Sequence, residues 1–270
     1  MMKLAKIEFG DDMIFTHVLV SFYDGWDCEA FLGSIKHLLV ETAVIDTYDR
    51  EAYSIKGQEL DTVLNRADLL CIATQLKDEQ EIESLKEIID SAEKNKVFFT
   101  TVLLCDVESR SDRQEKTLEY FNVHANAVID LQKMIPSYQK GDAVSFIVQS
   151  ILAACVFPDT VPGLDIVDVK DSVRGIAHAA IVRETDHNDY PNVSKFAQAT
   201  VEQMSRQQKD LSRANSIYVA AFGNHKTLTM QFLVEFVMDI SVGEDAHCIM
   251  TGAYDDTMKD GEILVVTIAS

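Results

Sequence analysis

The chain has 270 residues, 47% of them hydrophobic and 25% charged, with 24 Lys and Arg against 44 Asp and Glu for a formal net charge of -20. That composition is ordinary for a globular protein with a substantial core. The carboxylate excess repels phosphate backbones and anionic lipid, so neither nucleic acid nor a membrane surface is expected as a direct partner. A basic protein partner or charge-controlled self-association stays open.

Asp11 and Asp12 interrupt the N-terminus before any long apolar run, which argues against a signal peptide or anchor. No stretch reaches the roughly 18 uncharged apolar residues that a membrane span needs. The five cysteines are scattered and lack C-x-x-C spacing, so neither a disulfide framework nor a zinc site is expected. The expected compartment is the cytoplasm.

In chain order, residues 13–21 (MIFTHVLVS) read as a buried strand. Residues 29–39 read as a helix with Phe31, Ile35, Leu38 and Leu39 on one face, and residues 41–46 as a second strand. ADLLCIAT (67–74) predicts a third strand. Residues 78–94 predict an amphipathic helix with an Ile82, Leu85, Ile88 and Ile89 stripe. VFFTTVLL (97–104) and the short run 127–130 complete an alternation that predicts a parallel sheet covered on both faces. DAVSFIVQSILAACVF (142–157) is apolar nearly all round, as a helix buried between layers would be, and Pro158 and Pro162 stop it.

The second half predicts strands at 176–182, 216–222, 247–253 and 263–269, with helices at 192–208 and 229–240. The last two strands flank the acidic turn Tyr254 to Gly261, which suggests a hairpin. The expected organisation is a Rossmann-like domain over 1–141, a linking helix over 142–161 and a smaller α/β domain over 162–270.

This order resembles FtsZ and its tubulin relatives. PGLDIVDVKDSVRGIAHA (162–179) resembles the segment that follows the FtsZ central helix, including the synergy loop. ANSIYVAAFG (214–223) and HCIMTGAYDDTMKDGEILVVTIA (247–269) resemble its C-terminal domain, and ADLLCIAT resembles the strand that leads into the phosphate loop. The resemblance implies a tubulin/FtsZ-like α/β fold: a Rossmann-like parallel-sheet domain, a buried central helix and a smaller α/β domain.

The phosphate loop itself is absent. Where the family carries GGGTGTG, this chain reads Gln75-Leu76-Lys77-Asp78-Glu79-Gln80-Glu81, with no glycine and three carboxylates. Phosphate oxygens must approach backbone N–H groups at a helix N-terminus, and a Cβ obstructs them. The first glycine run is replaced by Ser21-Phe22-Tyr23-Asp24-Gly25-Trp26-Asp27. Ser21, Gly25, Trp26, Thr74 and Gln75 therefore mark a vestigial nucleotide cleft, and no cofactor is expected, with GTP or GDP not held in the usual way. Tyr23 and Trp26 either stack on a ligand or plug the vacated space. The family positions that read guanine fall near Ser145 and Phe146.

The FtsZ synergy loop, Asn-x-Asp-x-x-Asp, completes a neighbouring subunit's GTP site. Here its positions become Ile166, Asp168 and Asp171. The resemblance implies that Asp168 and Asp171 could contribute catalytically in trans; the competing reading has them cap the helix that starts there. The expected function is a pseudo-GTPase that associates with itself or with an FtsZ- or tubulin-like partner. The alternatives are a divergent GTPase of a cytoskeletal polymer and a small-ligand sensor using the cleft. No metal site is expected: Asp255, Asp256 and Asp260 fit a turn better than a calcium loop, and Asp186, His187 and Asp189 fit a solvated loop.

Overall fold

The computed structural model describes residues 2–9, 15–39, 43–49, 58–65, 67–105, 111–131, 140–186, 191–240, 242–243 and 245–270. They form two compact units, and the division falls after Ser145.

The first unit contains β1 (Lys3–Phe9), β2 (Phe15–Ser21), α1 (Cys28–Ile35), β3 (Val44–Asp49), α2 (Gln58–Leu64), β4 (Leu69–Thr74), α3 (Glu79–Lys94), β5 (Phe99–Leu104), α4 (Asp112–His124) and β6 (Ala127–Asp130). Its strands run in the order β3-β1-β2-β4-β5-β6. The last four are parallel. Every residue of β4 and β5 is buried, as expected for parallel strands covered on both faces, whose sequence is then apolar without alternation. Ile82, Leu85, Ile88 and Ile89 of α3 lie buried in the core beneath one face of this sheet. Each such side chain contributes roughly 1.5–3 kcal/mol.

Two strands of this unit differ from the sequence reading, and the helices α2 and α4 were not anticipated in it. An unanticipated strand, β1, pairs antiparallel with β2 from Lys3 opposite Ser21 to Phe9 opposite Phe15. The strand expected at 41–46 is found at Val44–Asp49, where it pairs antiparallel with β1 instead of joining the parallel set. The parallel core thus begins at β2.

The second unit begins within α5 (Lys140–Val156) and contains β7 (Thr160–Val161), α6 (Ile166–Ser172), β8 (Gly175–Thr185), α7 (Val193–Arg206), β9 (Ser216–Gly223), α8 (Met230–Asp239), β10 (His247–Tyr254) and β11 (Glu262–Ala269). Ile147, Val148, Ile151 and Leu152 of α5 are fully buried, which accounts for its lack of a polar face. The Tyr218 hydroxyl donates to the Ser150 carbonyl and ties β9 to α5. On another side, α7 and α8 share a core in which the Phe196 and Phe232 rings meet edge to face at 5.4 Å.

The strand order in this unit is β8-β11-β9-β10-β7. The expected closing hairpin does not form. β11 inserts antiparallel between β8 and β9, while β10 lies parallel to β9 on its far side. The acidic turn crosses over β9 rather than joining neighbours. Gly261 ends it at φ +82°, and a Cβ there would lie 1.9 Å from the Asp186 carbonyl oxygen. Only glycine accommodates both constraints. No helix among the described residues is long and apolar enough to cross a membrane.

Candidate functional site

In an open parallel sheet, ligands bind outside the carboxyl ends of the strands. In the first unit those ends carry the 21–27 segment after β2 and the 75–78 segment after β4. The first turns of α5 close against the former.

Ser21 ends β2, buried, and its Oγ donates to the Tyr23 carbonyl at 3.1 Å. The Phe22 amide continues the parallel pairing by donating to Ala73 O at 2.8 Å. Tyr23 and Trp26 turn inward and are only 7% and 3% exposed. Burial, reinforced by the nearby Cys105 thiol, pushes the Tyr23 phenol above its ordinary pKa. The Trp26 indole Nε1 donates to Ser145 Oγ of α5 at 3.0 Å, and its ring lies 5.8 Å from Phe31. Ser145, a position the resemblance assigns to base reading, is thus engaged by a side chain of the chain itself. Asp27 then caps α1, accepting from the amides of Glu29 and Ala30 at 3.1 and 3.2 Å. The Ala30 amide in particular holds the Asp27 carboxyl below the usual range.

Gly25 and Gly141 explain how closely these segments meet. A Cβ on Gly141 would lie 2.1 Å from the Gly25 carbonyl oxygen, so the start of α5 rests backbone to backbone on the loop. A Cβ on Gly25 would lie 2.4 Å from the Tyr23 ring.

The second segment is organised by one carboxylate. Glu81 Oε1 accepts from the amides of Gln75 and Leu76, and Oε2 accepts from the amide of Lys77, all at 3.1 Å. The Thr74 hydroxyl also donates to Glu81 Oε1. Thr74 is fully buried and Glu81 is 8% exposed. Successive amides converge because Leu76 adopts φ +52°, the alternation that makes an anion-binding concavity. A non-glycine residue in that region costs about 1–2 kcal/mol. The anion and the burial of Leu76 in the core offset this cost. Phosphate-binding loops use the same donor geometry at a helix N-terminus; here a side chain from the first turn of α3 takes the donors.

The other two carboxylates of this segment do different work. Asp78 caps α3 by accepting from the Glu81 amide at 2.8 Å, and Glu79 pairs with Arg113 of α4. Lys77 reaches Asp24 across the two loops at 3.9 Å, an exposed pair worth about 0–1 kcal/mol. The structure therefore places Ser21 at the end of β2 with Gly25 and Trp26 in the loop that follows, and Thr74 at the end of β4 with Gln75 in the loop beside it. Sequence reasoning missed Glu81 as the organising group. The available signal was Asp78-x-x-Glu81, the spacing at which an acid three residues after the cap turns back toward preceding amides.

Asp168 and Asp171 lie in the second unit, on α6. Asp165 is the N-cap, accepting from the amides of Val167 and Asp168 at 2.8 and 3.0 Å. Asp168 reciprocates by accepting from the Asp165 amide at 3.0 Å, which completes a capping box. Asp171 is exposed in the last turn.

In the acidic turn, Asp255 accepts from the Thr257 amide and hydroxyl, Asp256 pairs with His225, and Asp260 accepts from Asn224 and Lys226. The three carboxylates serve separate partners. His187 and Asp189 lie outside the described residues. One group with metal-compatible spacing occurs among the described residues: Asp90 and Glu93 of α3 with His124 of α4. The Glu93–His124 contact is 3.0 Å and Tyr120 donates to Asp90, so the group staples α3 to α4.

No protein-family model and no curated protein matches the sequence. Solved structures match the fold. CetZ1 from Haloferax volcanii, a GDP-bound monomer, matches with a TM-score of 0.52 at 10% identity over 78% of this chain and 67% of that one. A GTPγS-form protofilament of Bacillus thuringiensis serovar israelensis TubZ gives 0.51 at 11% identity over 78% and 64%. CetZ2 from Haloferax volcanii, a GTPγS-bound protofilament, gives 0.50 at 14% identity over 75% and 65%. This chain thus spans slightly less than two thirds of the CetZ2 length. The chain has the tubulin/FtsZ-like fold.

Proposed function

We propose that this protein is a pseudo-GTPase that acts by protein–protein association, with copies of itself or with a filament-forming FtsZ or tubulin relative, and does not hold GTP or GDP in the usual way. The observation that carries this reading is the Glu81 carboxylate among the 75–77 amides. Those donors are already satisfied, and a triphosphate would have to expel a buried anion while meeting the repulsion of Asp78 and Glu79. The packing of Trp26 onto Ser145 argues the same way for the base. The burial of Tyr23 and Trp26 also weighs against a small-ligand sensor, since their faces are covered.

Self-association draws support from the protofilament state of two of the similar structures. A formal charge of -20 makes copies repel, and salt screens that repulsion over a Debye length of about 10 Å at 0.1 M. The same charge disfavours nucleic acid and anionic membrane as partners, and the proposed compartment is the cytoplasm. Asp168 is occupied in its capping box, which favours a structural over a catalytic role in trans for Asp168 and Asp171.

Sedimentation velocity at low and moderate salt, with and without GTP and magnesium, tests this reading. The expected result is association that rises with protein concentration and with salt and does not respond to GTP. Assembly that appears only with GTP contradicts it.

A further inference from the structure

The 75–77 loop turns three amides toward one carboxylate, and the Leu76 amide is shared between Glu81 and Thr74 Oγ1, each at 3.1 Å. Its three amides point at one place, and Leu76 sits in the left-handed region without being glycine. Elsewhere such a loop relaxes when its anion leaves, because unpaired buried amides are costly. Here the anion is covalently part of the chain. Glu81 projects from the first turn of α3, a helix of 16 residues whose N-terminal dipole favours negative charge. It accepts all three amides and the Thr74 hydroxyl.

The opposite side of the loop is also fixed. The Leu76 carbonyl accepts from Gln114 Nε2 at 3.1 Å, and the Thr74 carbonyl accepts from the Cys105 amide at 2.8 Å. Leu76 itself is 1% exposed. The three amide donors, the Leu76 carbonyl and the Leu76 side chain are all engaged without a ligand.

We infer that Glu81 is a built-in anion that holds the 75–77 loop permanently in its ligand-occupied shape, so the loop cannot report nucleotide state to the rest of the unit. This deepens the pseudo-GTPase reading and rests on it for its meaning, but the role of Glu81 can be tested separately.

Two variants separate the role of the charge from that of the side-chain volume. In Glu81→Ala the carboxylate is gone and a space of its size is left. In Glu81→Gln the volume is kept, but an NH2 replaces one acceptor and faces an amide. Amide hydrogen exchange at Gln75, Leu76 and Lys77 is the readout, with inorganic sulfate as the probe and sodium chloride of equal ionic strength as the control.

Both variants are expected to exchange at least roughly tenfold faster than the parent chain at Gln75 and Lys77, and by less at Leu76, whose amide keeps Thr74 Oγ1 as an acceptor. Sulfate at tens of millimolar is expected to restore protection in Glu81→Ala only, because Glu81→Gln has no room and the parent has no free donors. Unchanged exchange in both variants overturns the inference. So does sulfate protection of the parent equal to that of Glu81→Ala. If Glu81→Ala does not fold, unchanged exchange in Glu81→Gln overturns the inference on its own, and accelerated exchange supports it. GTP titration of the parent chain tests the broader reading independently: binding there sinks the pseudo-GTPase proposal while leaving the exchange result intact.

Discussion

Replacing Trp26 with Ala is expected to lower the stability of the first unit by about 3–5 kcal/mol, the range for truncating a large buried aromatic. The indole is 3% exposed, packs beside Phe31 and donates to Ser145. Truncation removes that area from the core and strands a hydroxyl partner at the start of α5. Trp26 is the only tryptophan of the chain, so unfolding of the variant is followed by circular dichroism and that of the parent by circular dichroism and indole fluorescence. A loss below about 1 kcal/mol would show that the indole does not plug the cleft. Trp26→Phe, which keeps a ring and loses the N–H, is expected to fall between the parent and Trp26→Ala.

Gly141→Ala should also destabilise, although helix propensity predicts the reverse. Alanine in place of glycine inside a helix gains about 1 kcal/mol. Against that gain stands a Cβ placed 2.1 Å from the Gly25 carbonyl oxygen. That neighbour is backbone and cannot rotate away, and Gly25 is itself wedged against the Tyr23 ring. Overpacking of this kind costs about 1–3 kcal/mol, and more where nothing yields. The expected net loss is up to about 2 kcal/mol in denaturant unfolding, with faster amide exchange around Tyr23 to Trp26. A stabilised Gly141→Ala variant would show that the start of α5 does not press on the first loop.

The features legible in the sequence were those decided by burial alone. LLCIAT and FTTVLL are apolar without alternation because they are central parallel strands, and the stripe of α3 has a single covered face. What was not legible depends on partners far along the chain. β1 carries Lys3, Lys6 and Glu8 among its apolar residues, so its strand character comes from pairing with β2 and β3 rather than from its own pattern. α4 buries only Thr117, Leu118 and Phe121, too few for a periodic stripe; its start was nevertheless written in the Ser111–Gln114 capping box. The acidic turn suggested a hairpin because adjacency in sequence usually means adjacency in a sheet. In fact β11 lies between β8 and β9, while both sides of β10 are taken by β9 and β7.

In the cleft, composition showed that glycines were missing and carboxylates present. It did not show which carboxylate faces the amides. That choice is made by side-chain length and helical phase. Asp78 is too short and caps its own helix, Glu79 points to Arg113, and Glu81 alone turns back over the loop. Trp26 was legible as a bulky residue in the first loop, but its bond to Ser145 links positions 119 residues apart.

In the proposed reading, side chains of the chain itself occupy the places of phosphate and base. Calorimetric titration of the purified protein with GTP, and separately with GDP, in the presence of magnesium tests it most directly. No saturable heat is expected up to millimolar nucleotide. Saturable binding at micromolar affinity would contradict it and mean that Glu81 and Trp26 give way to the ligand.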